Sequence, residues 1–217
     1  MKIVLLNAAA PDYVWKKSYT PEGFLQAVRE WEQTPVSPAS VISGKADGYH
    51  IYRASSFHTA QTAEMWLGPE AADSCETTDL LNEIPLSPYT DEQREIPLWK
   101  YKLLGQRQWK NGDTRQPESY RESVTRGQEL CDLLEERGED AVLISHERRI
   151  LLLVELLRKR KYQIRRGSVF RLSPLERILA ARDIPTCGNC AHNCQLAHPG
   201  CEIGQDKARL LKMKGRL

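Results

Sequence analysis

The chain has 217 residues, 41% hydrophobic and 28% charged, enough to bury one substantial core and carry a small appendage. A formal net charge of +2 is too small to imply the long basic face of an extended nucleic-acid binder and leaves the partner open. No window reaches the roughly 18 apolar residues of a membrane-spanning helix, and the opening MKIVLLNAAAPDY has one lysine and a β-branched run, which reads as a first strand rather than a signal peptide, so a cytoplasmic protein with no membrane partner is expected.

Ile3-Val-Leu-Leu6 is an apolar run ending in small residues and a proline, a buried strand feeding a loop. From Pro21 to Gln33 the residues Phe24, Leu25, Val28 and Trp31 fall on one helical face before Pro35. A second strand is expected over Gly48-Tyr-His-Ile-Tyr52, then a helix capped by Ser55 or Ser56 and ending near Gly68. Residues 69–117, rich in proline, charge and tryptophan, read as a helical insertion over one end of the sheet. Tyr120, Val124, Leu130, Leu133 and Leu134 mark a helix over Glu118–Arg137, Gly138 stops it, and Ala141–Ser145 forms a strand. A helix over Ile150–Leu157 follows, then strands over Ser168–Leu172 and Arg177–Ala181 around a Ser-Pro turn. Alternation of this kind predicts an α/β fold with a doubly wound, mostly parallel sheet flanked by helices. Ligands of such sheets bind beyond the carboxyl ends of the strands, which gathers Asn7, the 53–58 loop and His146 at one edge.

Four of the six cysteines crowd into Cys187, Cys190, Cys194 and Cys201, spaced C-x2-C-x3-C-x6-C, while Cys75 and Cys131 stand far away. In a reducing compartment that crowding points to metal rather than disulfides. Four thiolates complete a tetrahedral zinc site or hold a 4Fe-4S cluster; zinc is preferred, with a structural or redox-sensing role. His192 and His198 could each replace a thiolate, although a place behind the thiolates or in solvent is the simpler reading. Gln205–Lys214 is expected to form a short basic helix. The run Arg158-Lys-Arg-Lys161 with Arg165 and Arg166 is a concentrated positive patch that could meet an acidic protein partner; as a solvated helix end it needs no ligand, and nucleic acid is disfavoured.

Over residues 1–182 the chain resembles the histidine phosphatase (phosphoglycerate mutase-like) superfamily. The segment 117–157 is similar to that family's Glu-Ser-rich helix and the strand ending in Ser-His, here Glu118-Ser119 and Ser145-His146. The segment 52–68 resembles its Arg-Ala-x-Gln-Thr-Ala-Glu helix start, with His58 to Glu64 in register, and Leu81-Asn82-Glu83 resembles the Leu-x-Glu that supplies its proton donor. The family's Arg-His-Gly is Asn7-Ala8-Ala9 here, so Ala8 stands where the resemblance implies the phosphate-accepting histidine, and Asn7 and His58 stand at two family arginines.

A methyl group cannot attack phosphorus, and phosphoryl transfer also needs positive charge around the transferred group. The resemblance therefore implies a degenerate domain, 1–182, silent in phosphoryl transfer, followed by the four-cysteine extension, 183–217. The residual cleft positions are His146, Glu83 and His58, and Asn7, Arg53, His58 and His146 are candidates to hold an anion such as a phosphorylated small molecule. The expected role is ligand binding or regulation. Two alternatives are an active phosphomonoesterase or mutase, in which His58 or His146 attacks and Glu83 donates the proton, and an iron–sulfur redox protein using the domain as scaffold.

Overall fold

The computed structural model describes residues 1–37, 46–166 and 177–181, with position 205. In chain order the elements are β1 (Lys2–Asn7), β2 (Ser18–Tyr19), α1 (Pro21–Gln33), β3 (His50–Arg53), α2 (Phe57–Leu67), α3 (Pro69–Asp73), β4 (Glu76–Thr77), a 3₁₀ turn (Asp79–Leu81), β5 (Ile96–Pro97), α4 (Leu98–Asn111), α5 (Tyr120–Arg137), β6 (Ala141–Ser145), α6 (Glu147–Lys159), β7 (Gln163–Arg166) and β8 (Arg177–Ala181). The main sheet runs β4-β3-β6-β1-β8-β7. Its first four strands are parallel, whereas β8 is antiparallel to β1, and β7 to β8. The α/β fold with a mostly parallel, helix-flanked sheet is therefore as expected.

Side chains alternate across a strand with period two, and that alternation divides the core. Ile3 and Leu5 of β1, with Ala141 and Leu143 of β6, face a cluster built by α5 and α6. Val4 and Leu6, with Val142 and Ile144, face the opposite cluster around Ala63 and Trp66 of α2. Each strand is buried on both faces, so its residues form unbroken apolar runs, as central parallel strands require. A third cluster joins α1 and α4 through Tyr19, Phe24 and Tyr101, with Phe24 and Tyr101 stacked at 4.4 Å between ring centroids.

Several local expectations need correction. Gly48 has φ +81, and the Tyr49 amide bonds back to Ala46, so the chain turns before β3 begins at His50. The insertion 69–117 carries α3 and α4, but Glu76–Thr77 also extends the main sheet beside β3, and β5 pairs with β2. Two-residue strands of polar or mixed composition carry no alternation to read. α6 starts at Glu147, one turn before the first apolar residue of its pattern. On the side away from β1, β8 pairs with β7 at Gln163–Arg166; the strand expected over Ser168–Leu172 lies outside the described residues, as do the four clustered cysteines and nearly all of the expected basic helix. No helix among the described residues is long and apolar enough to cross a membrane.

Candidate functional site

The carboxyl ends of β1, β3 and β6 converge because the three strands are parallel neighbours. At the end of β1, Asn7 pairs in register with Ser145. Ala8 and Ala9 are buried. The Ala8 amide donates to the Ser145 carbonyl at 2.7 Å and the Ala9 amide to Thr62 Oγ1 at 2.9 Å. Backbone groups and small methyls fill this corner, and no nucleophilic side chain projects from positions 8 or 9.

Two imidazoles stand beside it. His58, in the first turn of α2, is 1% exposed, and its Nε2 donates to the Thr34 carbonyl at the C-terminus of α1, 2.9 Å away. His146, between β6 and α6, is 7% exposed, with Nε2 hydrogen-bonded to Ser56 Oγ at 2.9 Å. The rings meet edge to face at 5.8 Å between centroids. Trp31 of α1 covers both, 4.7 Å from His58 and 5.7 Å from His146. Burial removes water from the charged form of an imidazole and lowers its pKa. For His146, burial first, then the charges of His58 and Arg148, push the value down to about 4. His58 is also lowered, by burial, against the opposing pull of the Thr34 and Trp31 carbonyls. Both rings are neutral at pH 7.

Glu83 arrives by a different route. Ser145 Oγ donates to the Leu81 carbonyl at 2.5 Å, Ser55 N and Oγ both bond Asn82 Oδ1 at 2.9 Å, and Arg126 grips the Asp79 and Asn82 carbonyls while paired with Glu118 at 2.7 Å. So pinned, the turn carries Glu83 to the start of α6. There Oε1 accepts from the amides of Ile84 at 2.7 Å and Arg149 at 3.0 Å, and Oε2 lies 3.8 Å from Arg148 Nε. His146, at the N-cap position, makes no side-chain cap bond. Glu83 therefore supplies both the missing acceptor and the negative charge that a helix N-terminus favours. Arg53, at the end of β3, donates to the Ala54 carbonyl at 3.4 Å, and its charge acts on the Cys75 thiol.

Trp31, Ser56, Arg148 and Arg149 were missing from the residues read as functional. Arg148 is the cation whose charge reaches His146, and its Nη1 is shielded from solvent without a hydrogen-bond partner. Arg149 is fully buried; it donates to the carbonyls of Ser123 at 2.9 Å and of Leu80, with Nε unpartnered. Two arginines in the first turn of a helix oppose its dipole; the guanidinium of Arg148 meets Glu83, and that of Arg149 is held by carbonyls. Among the described residues no group of three or more His, Cys, Asp or Glu side chains could hold a metal ion. A shallow cleft of about 540 Å³ lies elsewhere, lined by Pro21, Leu25, Ser87, Pro88 and Arg115.

No family model matches the sequence, and no curated protein matches it. Among solved structures, the chain is similar to a candidate α-ribazole-5′-P phosphatase from Escherichia coli, at 15% identity and TM-score 0.47 over 72% of this chain and 79% of that one. It is similar to a mycobacterial glucosyl-3-phosphoglycerate phosphatase at 19% identity and TM-score 0.43, over 73% and 79% of the two chains. A histidine-to-alanine variant of phosphoserine phosphatase from Entamoeba histolytica, in complex with phosphoserine, is similar at 14% identity and TM-score 0.43, over 79% and 94%.

Proposed function

We propose that the chain is a histidine-phosphatase-like protein without phosphoryl-transfer activity, acting in ligand binding or regulation, with a metal site at its four clustered cysteines. The observation that carries this reading is the corner at the carboxyl end of β1. Ala8 offers only a buried methyl, and the two nearby imidazoles are neutral and already bonded to Thr34 and Ser56. A nucleophile must be free to approach phosphorus, and developing negative charge must meet cations. Glu83, the candidate proton donor, spends its oxygens on the start of α6. An anion entering here would draw on Asn7, His58 and His146 and on the unpartnered Arg148 Nη1, with Arg53 on the neighbouring strand. A phosphorylated small molecule is the ligand class this suits.

The test is phosphate release from a panel of phosphomonoesters, together with acid quenching to trap a phosphoenzyme; neither product nor adduct is expected. Turnover that disappears in His146→Ala and His58→Ala would establish a relocated nucleophile instead. For Cys187, Cys190, Cys194 and Cys201, elemental analysis is expected to find one zinc per chain, a donor set of four thiolates being suited to that ion. Brown colour and visible absorbance after anaerobic purification would assign a 4Fe-4S cluster and a redox role. Cys75 and Cys131 are buried, and burial pushes both thiols up, Cys131 to about 11. Alkylation of the native protein should therefore spare these two and reach the other four only after a chelator is added.

A further inference from the structure

The outer face of α4 plays no part in the site above. Its fourteen residues include Lys100, Lys102, Arg107 and Lys110 and no carboxylate. The inner side is committed to the core through Tyr101, Gly105 and Trp109. That leaves Trp99, Lys102, Leu103, Arg107 and Lys110 outward at helical spacing, Trp99 being 59% exposed and Leu103 40%. Loop 13–17 abuts the start of the helix. The Leu98 amide donates to the Lys17 carbonyl at 2.9 Å, Lys102 Nζ lies 5.8 Å over the Trp15 ring, and Val14 is 88% exposed beside the exposed Lys16 and Lys17. Among the described residues no ion pair engages any of these six cations. In the preceding loop Glu92 and Glu95 are held by Arg94 and Ser18, and Asp91 lines the cleft that also holds Arg115.

We propose that the outer face of α4 and loop 13–17 form a docking surface for an anionic lipid bilayer. The proposal is independent of the chemistry assigned to the imidazole site. Each component of the patch has a counterpart there: lipid phosphates and carboxylates for the six cations, the headgroup layer for the Trp99 indole, and the acyl boundary for Leu103 and Val14. Long cationic stems allow the charges to stay among headgroups while their methylenes cover apolar surface. A nucleic acid would leave Leu103 and Val14 without a role, because phosphodiesters reward charge and stacking. An acidic peptide would need a groove for its own apolar anchors, whereas here the protein's apolar side chains project outward. A helix lying on the bilayer needs no membrane-spanning segment.

The full-length protein should cosediment with vesicles of phosphatidylserine in phosphatidylcholine and not with phosphatidylcholine alone, and the binding should weaken as salt rises. The pair Lys102→Glu with Arg107→Glu should reduce binding at least tenfold, and Leu103→Ser should reduce it several-fold. Arg121→Glu and Arg158→Glu, reversals of exposed cations on α5 and α6, should change it less than twofold. Brominated acyl chains should quench fluorescence that is lost in Trp99→Ala. Unchanged far-UV circular dichroism checks that the variants fold. The proposal is overturned if the vesicles are not bound, if all reversals weaken binding equally, or if a single-stranded RNA or a poly-glutamate peptide is bound more tightly than the vesicles at the same salt.

Discussion

His146 shows what burial does to a single side chain. Its imidazole titrates near 4 in the native state and at the ordinary 6.5 once exposed. Between those values the unfolded chain holds a proton that the native chain does not, so unfolding takes up a proton and stability rises with pH across the window. The stabilisation is fully present above pH 6.5 and is lost as the pH falls toward 4, with a limiting size of about 3 kcal/mol. His58, lowered by the same cause, adds to the slope with the same sign. Chemical denaturation between pH 4 and 7.5 should show the decline, and His146→Gln should flatten it. At Glu83 the expectation is structural. Glu83→Ala removes the acceptor at the start of α6 and should cost about 1–2 kcal/mol, whereas Glu83→Gln, which keeps one acceptor oxygen, should cost less; the shift in denaturation midpoint measures both.

The helices were the most legible elements. α1 runs over the expected Pro21–Gln33, because Thr20 caps it and Pro21 is tolerated in its first turn. α5 opens on a capping box in which Ser119 and Glu122 satisfy each other's amides, two residues after the expected start at Glu118, which is drawn off to pair with Arg126. How α5 meets α6 was invisible, since it depends on one residue without a side chain. A Cβ at Gly127 would lie 2.5 Å from Leu156 Cδ1 and 3.5 Å from Arg149 Nη1. Gly127→Ala should therefore destabilise the protein by about 1–3 kcal/mol through overpacking, less the ~1 kcal/mol that alanine gains in a helix. Adding Leu156→Ala should recover part of the packing penalty, giving a non-additive double-mutant cycle in denaturation. The crossing also buries Arg149, which burial lowers to about 10, leaving it a cation at neutral pH held mainly by carbonyls.

For the whole molecule, β1 is the pivot, pairing along its length with parallel β6 and antiparallel β8. We expect residues 1–182 to fold without the cysteine extension, because β8 is retained. Ending the chain after residue 162 would strip β7 and β8 and expose β1 as an unpaired, apolar edge strand, which invites aggregation. Size-exclusion chromatography and amide hydrogen exchange at Ile3–Leu6 should separate the two truncations: protected and monodisperse for the first, unprotected and aggregated for the second.

From the sequence alone came the layer order, the central strands β1 and β6, the helices that flank them, and the convergence of Ala8, His58 and His146 at one end of the sheet. These follow from local periodicity and from the rule that parallel strands point their carboxyl ends the same way. Only the tertiary structure decided what those side chains touch. Trp31 over the two imidazoles, Ser56 against His146, Glu83 turned onto the start of α6 and paired with Arg148 all depend on contacts between segments distant in the chain. Hydrogen bonding and burial between such segments set protonation and access, and no local pattern encodes them.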